Sequence, residues 1–117
     1  MSGKKCPSES DEQVGFLRWF DTQFPRVWIF HIPNGGHRKM SVAKAMKREG
    51  VKPGVPDLFI PEWNLWVEMK RQKGGRLSPD QKAWIEYLER VGHTVIVGLG
   101  ATDASKQVLE WRSKQAQ

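Results

Sequence analysis

The chain has 117 residues, of which 38% are hydrophobic, enough for one folded core and too little for two domains. No apolar run approaches the roughly 18 to 20 residues of a membrane span, and no apolar signal-peptide core is present, so we expect a soluble, cytoplasmic protein without a membrane partner. A net charge of +6, from 19 Lys and Arg against 13 Asp and Glu, favours a polyanionic partner.

The first seven residues form a polar, basic leader without hydrophobic periodicity, which we expect to be flexible. The single cysteine, Cys6, lies in this leader and cannot form an internal disulfide, which fits a reducing compartment. One domain is therefore predicted over residues 8–112, followed by a short tail at 113–117.

A first helix is predicted from near Ser8 or Ser10 up to Pro25, which ends it. Its apolar stripe, extended towards the N-terminus, reaches Glu9. A carboxylate on a core-facing stripe is costly unless it has a partner, so Glu9 is a candidate site residue, with Glu12 as the alternative. Either acid can instead be a favourable charge in the first helical turn.

The next segments predict a strand, a glycine turn and a second helix. Val27 to Ile32 is an apolar, β-prone run that indicates a buried strand. Pro33 to Gly36 breaks it, and adjacent glycines permit a close approach of the backbone to a phosphate. Met40 to Glu49 predicts a short helix with a basic outer face. Its predicted inward face holds Val42, Ala45 and Met46.

Two further strands are predicted at Asp57 to Ile60 and at Leu65 to Lys70, joined by a loop of hairpin length. With period 2, Glu68 and Lys70 lie on the same face of the second strand. Antiparallel pairing then brings Asp57 beside them. The sequence therefore predicts two carboxylates and one ammonium in one pocket.

This combination is suited to metal-assisted hydrolysis of a phosphodiester. Two carboxylates such as Asp57 and Glu68 suit a hard cation such as Mg²⁺, which binds oxygen and keeps several waters. Lys70 can stabilise charge on a phosphate or orient the attacking water. The alternative is an ordinary surface ion-pair cluster, which contributes little free energy.

The C-terminal third predicts a helix, a strand and a last helix. Ser78 and Gln81 form a capping box, and Gln81 also leads the apolar stripe of that helix, so its amide has two alternative roles, in the cap or at the metal site. Thr94 to Leu99 predicts a hydrophobic strand. Thr102 or Asp103 is the predicted cap of the final helix.

Cations are concentrated in two runs on either side of the acidic residues. Residues 38–52 hold six cations and one acid, and residues 70–76 hold four cations and no acid. Each run alone can be a solvated surface, but together they suit a track for the phosphate backbone. The predicted DNA contacts are Asn34, Gly35, Arg38, Lys39, Lys44, Lys47, Lys52, Arg71, Lys73 and Arg76.

The predicted element order is α-β-α-β-β-α-β-α. This alternation favours an α/β fold in which a central mixed sheet is flanked by helices.

Four motifs in this order resemble those of the virus-type replication-repair nuclease domain, VRR-NUC, of the PD-(D/E)XK nuclease superfamily. They are Pro33 to Gly36, Gly50 to Leu58, Val67 to Lys70 and Leu77 to Gln81. The resemblance covers about residues 9–111, nearly the whole chain.

The resemblance implies a restriction-endonuclease-like αβββαβ core and an endonuclease that depends on Mg²⁺ or Mn²⁺. It implies metal ligands at Asp57, Glu68 and the backbone carbonyl of Met69. The catalytic set that it implies is Asp57, Glu68, Lys70, Glu9 and Gln81.

Small stand-alone relatives of this type, as found in phages, resemble Holliday-junction resolvases that act in DNA repair as homodimers. We therefore expect a branched or four-way DNA substrate, with the dimer interface at the hairpin around Trp63 or at the first helix. The alternatives are a non-catalytic nucleic-acid-binding module and a flap or restriction-type nuclease of the same fold.

Overall fold

A computed structural model of the chain describes residues 6–33 and 39–116. Its elements, in chain order, are α1 Glu9–Gln23, β1 Phe30–His31, α2 Met40–Arg48, β2 Leu58–Ile60, β3 Leu65–Lys70, α3 Pro79–Arg90, β4 Thr94–Leu99 and α4 Ala101–Gln115, with a 3₁₀ turn at Pro61–Trp63 between β2 and β3. Three predicted DNA contacts, Asn34, Gly35 and Arg38, lie outside the described residues.

The four strands form one mixed sheet in the order β1-β2-β3-β4. β1 with β2 and β2 with β3 are antiparallel, and β3 with β4 is parallel. The hairpin between β2 and β3 closes through Asn64, which adopts the left-handed conformation with φ 48°. The predicted α/β fold, with an αβββαβ core and a central mixed sheet flanked by helices, is confirmed.

The two faces of the sheet have different environments. Leu65, Val67 and Met69 of β3 are fully buried and belong to the hydrophobic core, which α1 and α4 cover. Each such side chain contributes about 1.5 to 3 kcal/mol relative to an exposed one. Glu68 and Lys70 alternate with them and lie on the opposite side, which we call the Glu68 face.

Helices α1 and α4 lie close to the sheet because small and aromatic residues complement each other there. Phe16 and Phe20 of α1 and Val108 of α4 are completely buried. A Cβ on Gly98 of β4 would lie 2.5 Å from the Cβ of Ala104, so only glycine lets α4 approach β4 this closely.

The first strand is shorter and more exposed than predicted. The expectation of a buried strand from Val27 to Ile32 is wrong, because only Phe30–His31 pair with β2 and both are exposed. Among the described residues β1 has β2 as its one neighbour, so it forms an edge of the sheet. An edge strand buries less than a central one.

The predicted inward face of α2 is also wrong. None of the nine residues of Met40–Arg48 is buried, and Val42 is 43% exposed. Ala45 is likewise exposed, and Met46 is only half-buried. The apolar stripe that predicted the helix therefore does not pack into the core.

The predicted side-chain cap of the last helix is wrong as well. α4 begins at Ala101, before Thr102, and its N-cap residue Gly100 makes no side-chain cap. The backbone N–H of Ala101 instead donates to Glu12 Oε1 of α1 at 2.9 Å. Asp103 accepts the backbone N–H of Leu99 at 2.8 Å.

Trp63, expected to be free for an interface, is packed. Its ring lies 5.0 Å from Phe24, 5.6 Å from Phe20 and 5.7 Å from Trp111, measured between centroids. The guanidinium of Arg112 lies 4.5 Å from its centroid. Trp63 therefore extends the core.

Across the described residues, no helix has the length and apolar character needed to span a bilayer.

Candidate active site

The β2-β3 hairpin brings the predicted acidic residues together. Leu58 pairs with Val67, so Asp57, which precedes β2, lies level with Glu68 and Met69. Asp57 Oδ2 accepts the backbone N–H of Met69 at 2.8 Å. This hydrogen bond fixes the Asp57 carboxylate against the end of β3, as the hairpin geometry predicts.

A third carboxylate enters from the start of α1. Oxygens of Glu9, Asp57 and Glu68 all lie within 4.8 Å of one another. Ser8 caps the helix by accepting the backbone N–H of Asp11 at 3.0 Å, so Glu9 is the first helical residue. The N-cap thus sets where Glu9 meets the end of the sheet.

Glu68 is the most buried of the three, with 1% of its surface exposed. Its Oε2 accepts the Gln81 amide at 3.0 Å and lies 3.8 Å from Lys70 Nζ. Its Oε1 is buried and has no hydrogen-bond donor among the described residues. A buried carboxylate oxygen without a donor is unfavourable, so this atom requires a proton or a cation beside it.

Two carboxyl groups of the cluster have raised pKa values, which also shows that their ionised forms are unfavourable there. Burial, followed by the negative charge of Asp57, raises the pKa of Glu68 to about 9, although Lys70 opposes the shift. Burial also raises the pKa of Glu9, and the charges of Lys70 and Arg71 partly compensate. At neutral pH the Glu68 carboxyl is ionised beside its acidic neighbours only when additional positive charge is present.

Gln81 completes the predicted cap and also contacts the acidic cluster. The Oε1 of Gln81 accepts the backbone N–H of Ser78 at 2.8 Å, and the backbone N–H of Gln81 donates to Ser78 Oγ at 3.1 Å. These two hydrogen bonds complete the capping box. The amide NH₂ of Gln81 donates to Glu68 at the same time. One side chain thus couples the start of α3 to the acidic cluster.

Glu12, the alternative to Glu9, has partners other than the acidic cluster. It is 6% exposed and accepts hydrogen bonds from Ala101 at 2.9 Å and from the Gln72 amide at 2.7 Å. Sequence reasoning missed this role. The signal was the spacing, since Glu12 precedes the buried Phe16 by one helical turn.

The described basic residues of the predicted DNA track are exposed, apart from Lys70 at the cluster itself. Arg71 lies near enough to the site for its charge to act on Glu9. Lys44 and Lys47 belong to α2. The other described members are Lys39, Lys52, Lys73 and Arg76, which lie in connecting segments.

The donor set fits a hard divalent cation. Three carboxylates converge, one of them with a buried oxygen in need of a partner. Mg²⁺ and Mn²⁺ prefer such oxygen ligands, whereas zinc sites usually include His or Cys. The backbone of Met69 adjoins Asp57, which is compatible with its predicted carbonyl ligand.

The model of the VRR-NUC domain family matches residues 8–101, which contain all of these site residues. The chain belongs to the VRR-NUC family. A solved structure described as a VRR_NUC domain protein is 27% identical, with a TM-score of 0.73 over 90% of this chain and 88% of that one. A comparison with curated proteins found no match.

Membership of the VRR-NUC family confirms the predicted resemblance and indicates the general class of activity. VRR-NUC domains are nucleases, so the chain is a nuclease domain and DNA is its implied substrate. The acidic cluster lies within the part of the chain that matches the family.

Proposed function

We propose that this VRR-NUC domain is a structure-selective DNA endonuclease that requires Mg²⁺ or Mn²⁺ and resolves Holliday junctions. The observation that supports the metal requirement is the buried Oε1 of Glu68, which has no donor among the residues that the structure describes, beside Glu9 and Asp57. An isolated surface ion pair would not bury a carboxylate oxygen in this way.

In this proposal Asp57 and Glu68 hold the cation, with the Met69 carbonyl and Glu9 available to complete the ligand set. The metal, when bound, lowers the pKa of a water and neutralises charge on the phosphate. The Met69 N–H holds Asp57, and Gln81 holds Glu68, so both carboxylates are preorganised.

Lys70 has a separate role. Its Nζ lies 3.8 Å from Glu68 Oε2, too far for a strong hydrogen bond, so its donors can turn towards a phosphate oxygen or the attacking water. As a compact charge on β3, Lys70 then stabilises the negative charge that develops as the P–O bond breaks.

The sequence offers no motif that reads bases in the major groove, which supports selectivity for the shape of a junction over selectivity for a base sequence. A two-fold dimer would place two sites on opposing strands of a four-way junction. Because Trp63 is packed in the core, α1 is the better candidate for that interface, and Val14 on it is 45% exposed. We further propose a cytoplasmic DNA-repair role, of a type encoded by phages.

The test is cleavage of labelled four-way junction, flap, duplex and single-stranded DNA in Mg²⁺, Mn²⁺ or EDTA. Wild type is compared with Asp57→Asn and Lys70→Ala, and with Glu110→Ala on α4 as an acidic control remote from the Glu68 face. We expect paired nicks in the junction that need metal, and loss of at least about 100-fold in the first two variants.

Circular dichroism establishes that each variant is folded, and sedimentation gives its oligomeric state. Tight binding of every substrate without cleavage in either metal would support the non-catalytic module instead. Cleavage of flaps but not of junctions would retain the nuclease and reject the resolvase.

A further inference from the structure

Four aromatic rings form a continuous row across the sheet. Phe30 of β1 lies 5.9 Å from Phe59 of β2, and Phe59 lies 4.1 Å from Trp66 of β3, between centroids. His93, just before β4, lies 6.1 Å from both Phe59 and Trp66. We call Phe30, Phe59, Trp66 and His93 the aromatic row.

The outer end of the aromatic row is open to solvent. Phe30 is 50% exposed, and Trp28, two residues earlier, is 82% exposed. Ile29 between them packs against the core, so the alternation of an extended chain directs Trp28 and Phe30 away from the core. Exposed aromatic side chains of this size are a candidate binding surface.

The aromatic row is continuous with the acidic cluster. Trp66 and Glu68 are two residues apart on β3, about 7 Å along the strand, and share one face of the sheet. Arg71, just beyond β3, lies near enough to act on the pKa of Glu9. A nucleic-acid strand whose phosphate lies at Glu68 therefore has its neighbouring nucleotides beside these rings.

The inner part of the row is also rigid. Trp66 Nε1 donates to His93 Nδ1 at 2.9 Å, which satisfies the polar atom of the indole and fixes its plane. Preformed aromatic faces bind unpaired bases by stacking, with little dependence on sequence. A base inside a duplex is stacked on its neighbours through both faces, so it gains no binding free energy from such a surface.

We propose that the aromatic row, together with Trp28, is a stacking platform for unpaired nucleobases adjacent to the phosphate that is cleaved. This inference rests on the proposed nuclease function, because the acidic cluster places the strand. It deepens that function by naming the feature of the substrate that is recognised, unpaired nucleotides such as a flap contains or a four-way junction exposes when base pairs open at its crossover.

The test compares two oligonucleotides of equal length and equal phosphate count, one with normal bases and one with a central run of abasic sites. Affinities are measured by fluorescence anisotropy in EDTA, which prevents metal-dependent cleavage. We expect the wild type to prefer the base-bearing strand about tenfold or more. A Trp28→Ala/Phe30→Ala variant should lose that preference while its affinity for the abasic strand stays unchanged.

Two further variants separate stacking from other effects. Trp28→Leu/Phe30→Leu keeps apolar surface without aromatic faces, so it should lose the base preference as Trp28→Ala/Phe30→Ala does. Leu109→Ala removes a comparably exposed side chain, 46% exposed, from α4 on the other side of the sheet, and should keep the wild-type preference.

Equal affinity of the wild type for both strands would overturn the platform, as would an equal loss on both strands in the Trp28→Ala/Phe30→Ala variant. Dissociation of a wild-type dimer by Phe30→Ala, with base preference intact, would assign the surface to a second copy of the chain. If no metal supports cleavage but base preference persists, the nuclease proposal fails and the platform stands.

Discussion

At the scale of single residues, the site concentrates charge that the fold alone does not neutralise. Glu68 is almost fully buried beside Asp57 and Glu9, and its pKa of about 9 reflects burial and the neighbouring negative charge. Lys70 supplies one positive charge for three acids. Folding therefore proceeds against an electrostatic cost, as is common where function requires a poised site.

The raised pKa of Glu68 predicts how the metal-free protein responds to pH. Because the folded pKa of about 9 exceeds the unfolded value of 4.5, folding favours the protonated form. The stabilisation of the folded state by the protonated Glu68 carboxyl is complete below pH 4.5 and is lost as pH rises towards 9. In EDTA, we expect the melting temperature to fall by roughly 5 °C or more between pH 5 and pH 8.

The matched variant is Glu68→Gln, which cannot ionise and should show a flatter profile in scanning calorimetry. Saturating Mg²⁺ should raise the wild-type melting temperature most at high pH, because metal binding displaces the proton. A wild-type slope that persists unchanged in Glu68→Gln would assign the pH dependence to other groups.

Gln81 and Ser78 share the capping box but differ in their link to the site, which gives a second prediction. Gln81→Ala and Ser78→Ala should each lower the free energy of unfolding by about 1 kcal/mol in urea titrations. Only Gln81→Ala also removes the amide that donates a hydrogen bond to Glu68 Oε2. This variant alone should therefore lower the cleavage rate, by about tenfold. Equal rates for the two variants would limit Gln81 to the cap.

The sequence predicted which acids meet, but not everything each side chain does. Period 2 along β3 and a short hairpin are enough to place Asp57, Glu68 and Lys70 together. The sequence offered Gln81 a place in the cap and a place at the metal site, and neither excludes the other. An amide has an acceptor and two donors, and the folded geometry uses both ends at once.

At the scale of elements, α1 and α4 are tied together by one buried carboxylate. Glu12 of α1 accepts the first N–H of α4 at Ala101, and the Gln72 amide beyond β3. Gly100 leaves room for this contact, since a Cβ there would lie 2.7 Å from Gln72 Cγ and 3.1 Å from Glu12 Oε2. A carboxylate at a helix N-terminus is favoured by the free N–H groups there.

Loss of this tie should be strongly destabilising. We expect Glu12→Ala to lower the free energy of unfolding by about 3 kcal/mol, since two charge-assisted hydrogen bonds are removed from a buried setting. Asp11→Ala, an exposed acid in the same helical turn, should cost less than about 1 kcal/mol. Similar midpoints for both variants in urea would show that the Glu12 contacts contribute little.

Element boundaries depend on neighbours that the local pattern does not reveal. β1 is a two-residue strand at the edge of the sheet, and α2 has no buried residue although its apolar spacing is helical. The side-chain cap of α4 could not be predicted from Thr102 and Asp103, because its acceptor comes from Glu12, 89 residues earlier in the chain. Local propensity predicts that an element exists better than it predicts what the element contacts.

At the scale of the whole molecule, the two faces of the sheet carry different groups of residues. The side covered by α1 and α4 holds the hydrophobic core, and the Glu68 face holds the acidic cluster and the aromatic row. The order of elements alone predicted this layered α/β architecture, because alternating helices and strands must cover a sheet. The excess positive charge is available to bind a phosphate backbone.

That charge predicts a strong and localised dependence of DNA binding on salt. Removing one cation that binds a phosphate should reduce the slope of log K against log salt by about one. Lys44→Ala/Lys47→Ala on the exposed α2 should therefore flatten the slope by about two. Lys106→Ala/Lys114→Ala on α4 makes the same change in net charge on the side away from Glu68, and should leave the slope nearly unchanged. Anisotropy titrations of one duplex at several salt concentrations measure both. If the two pairs reduce the slope equally, DNA binding depends on the overall charge of +6 and not on specific contacts of Lys44 and Lys47 with the phosphate backbone.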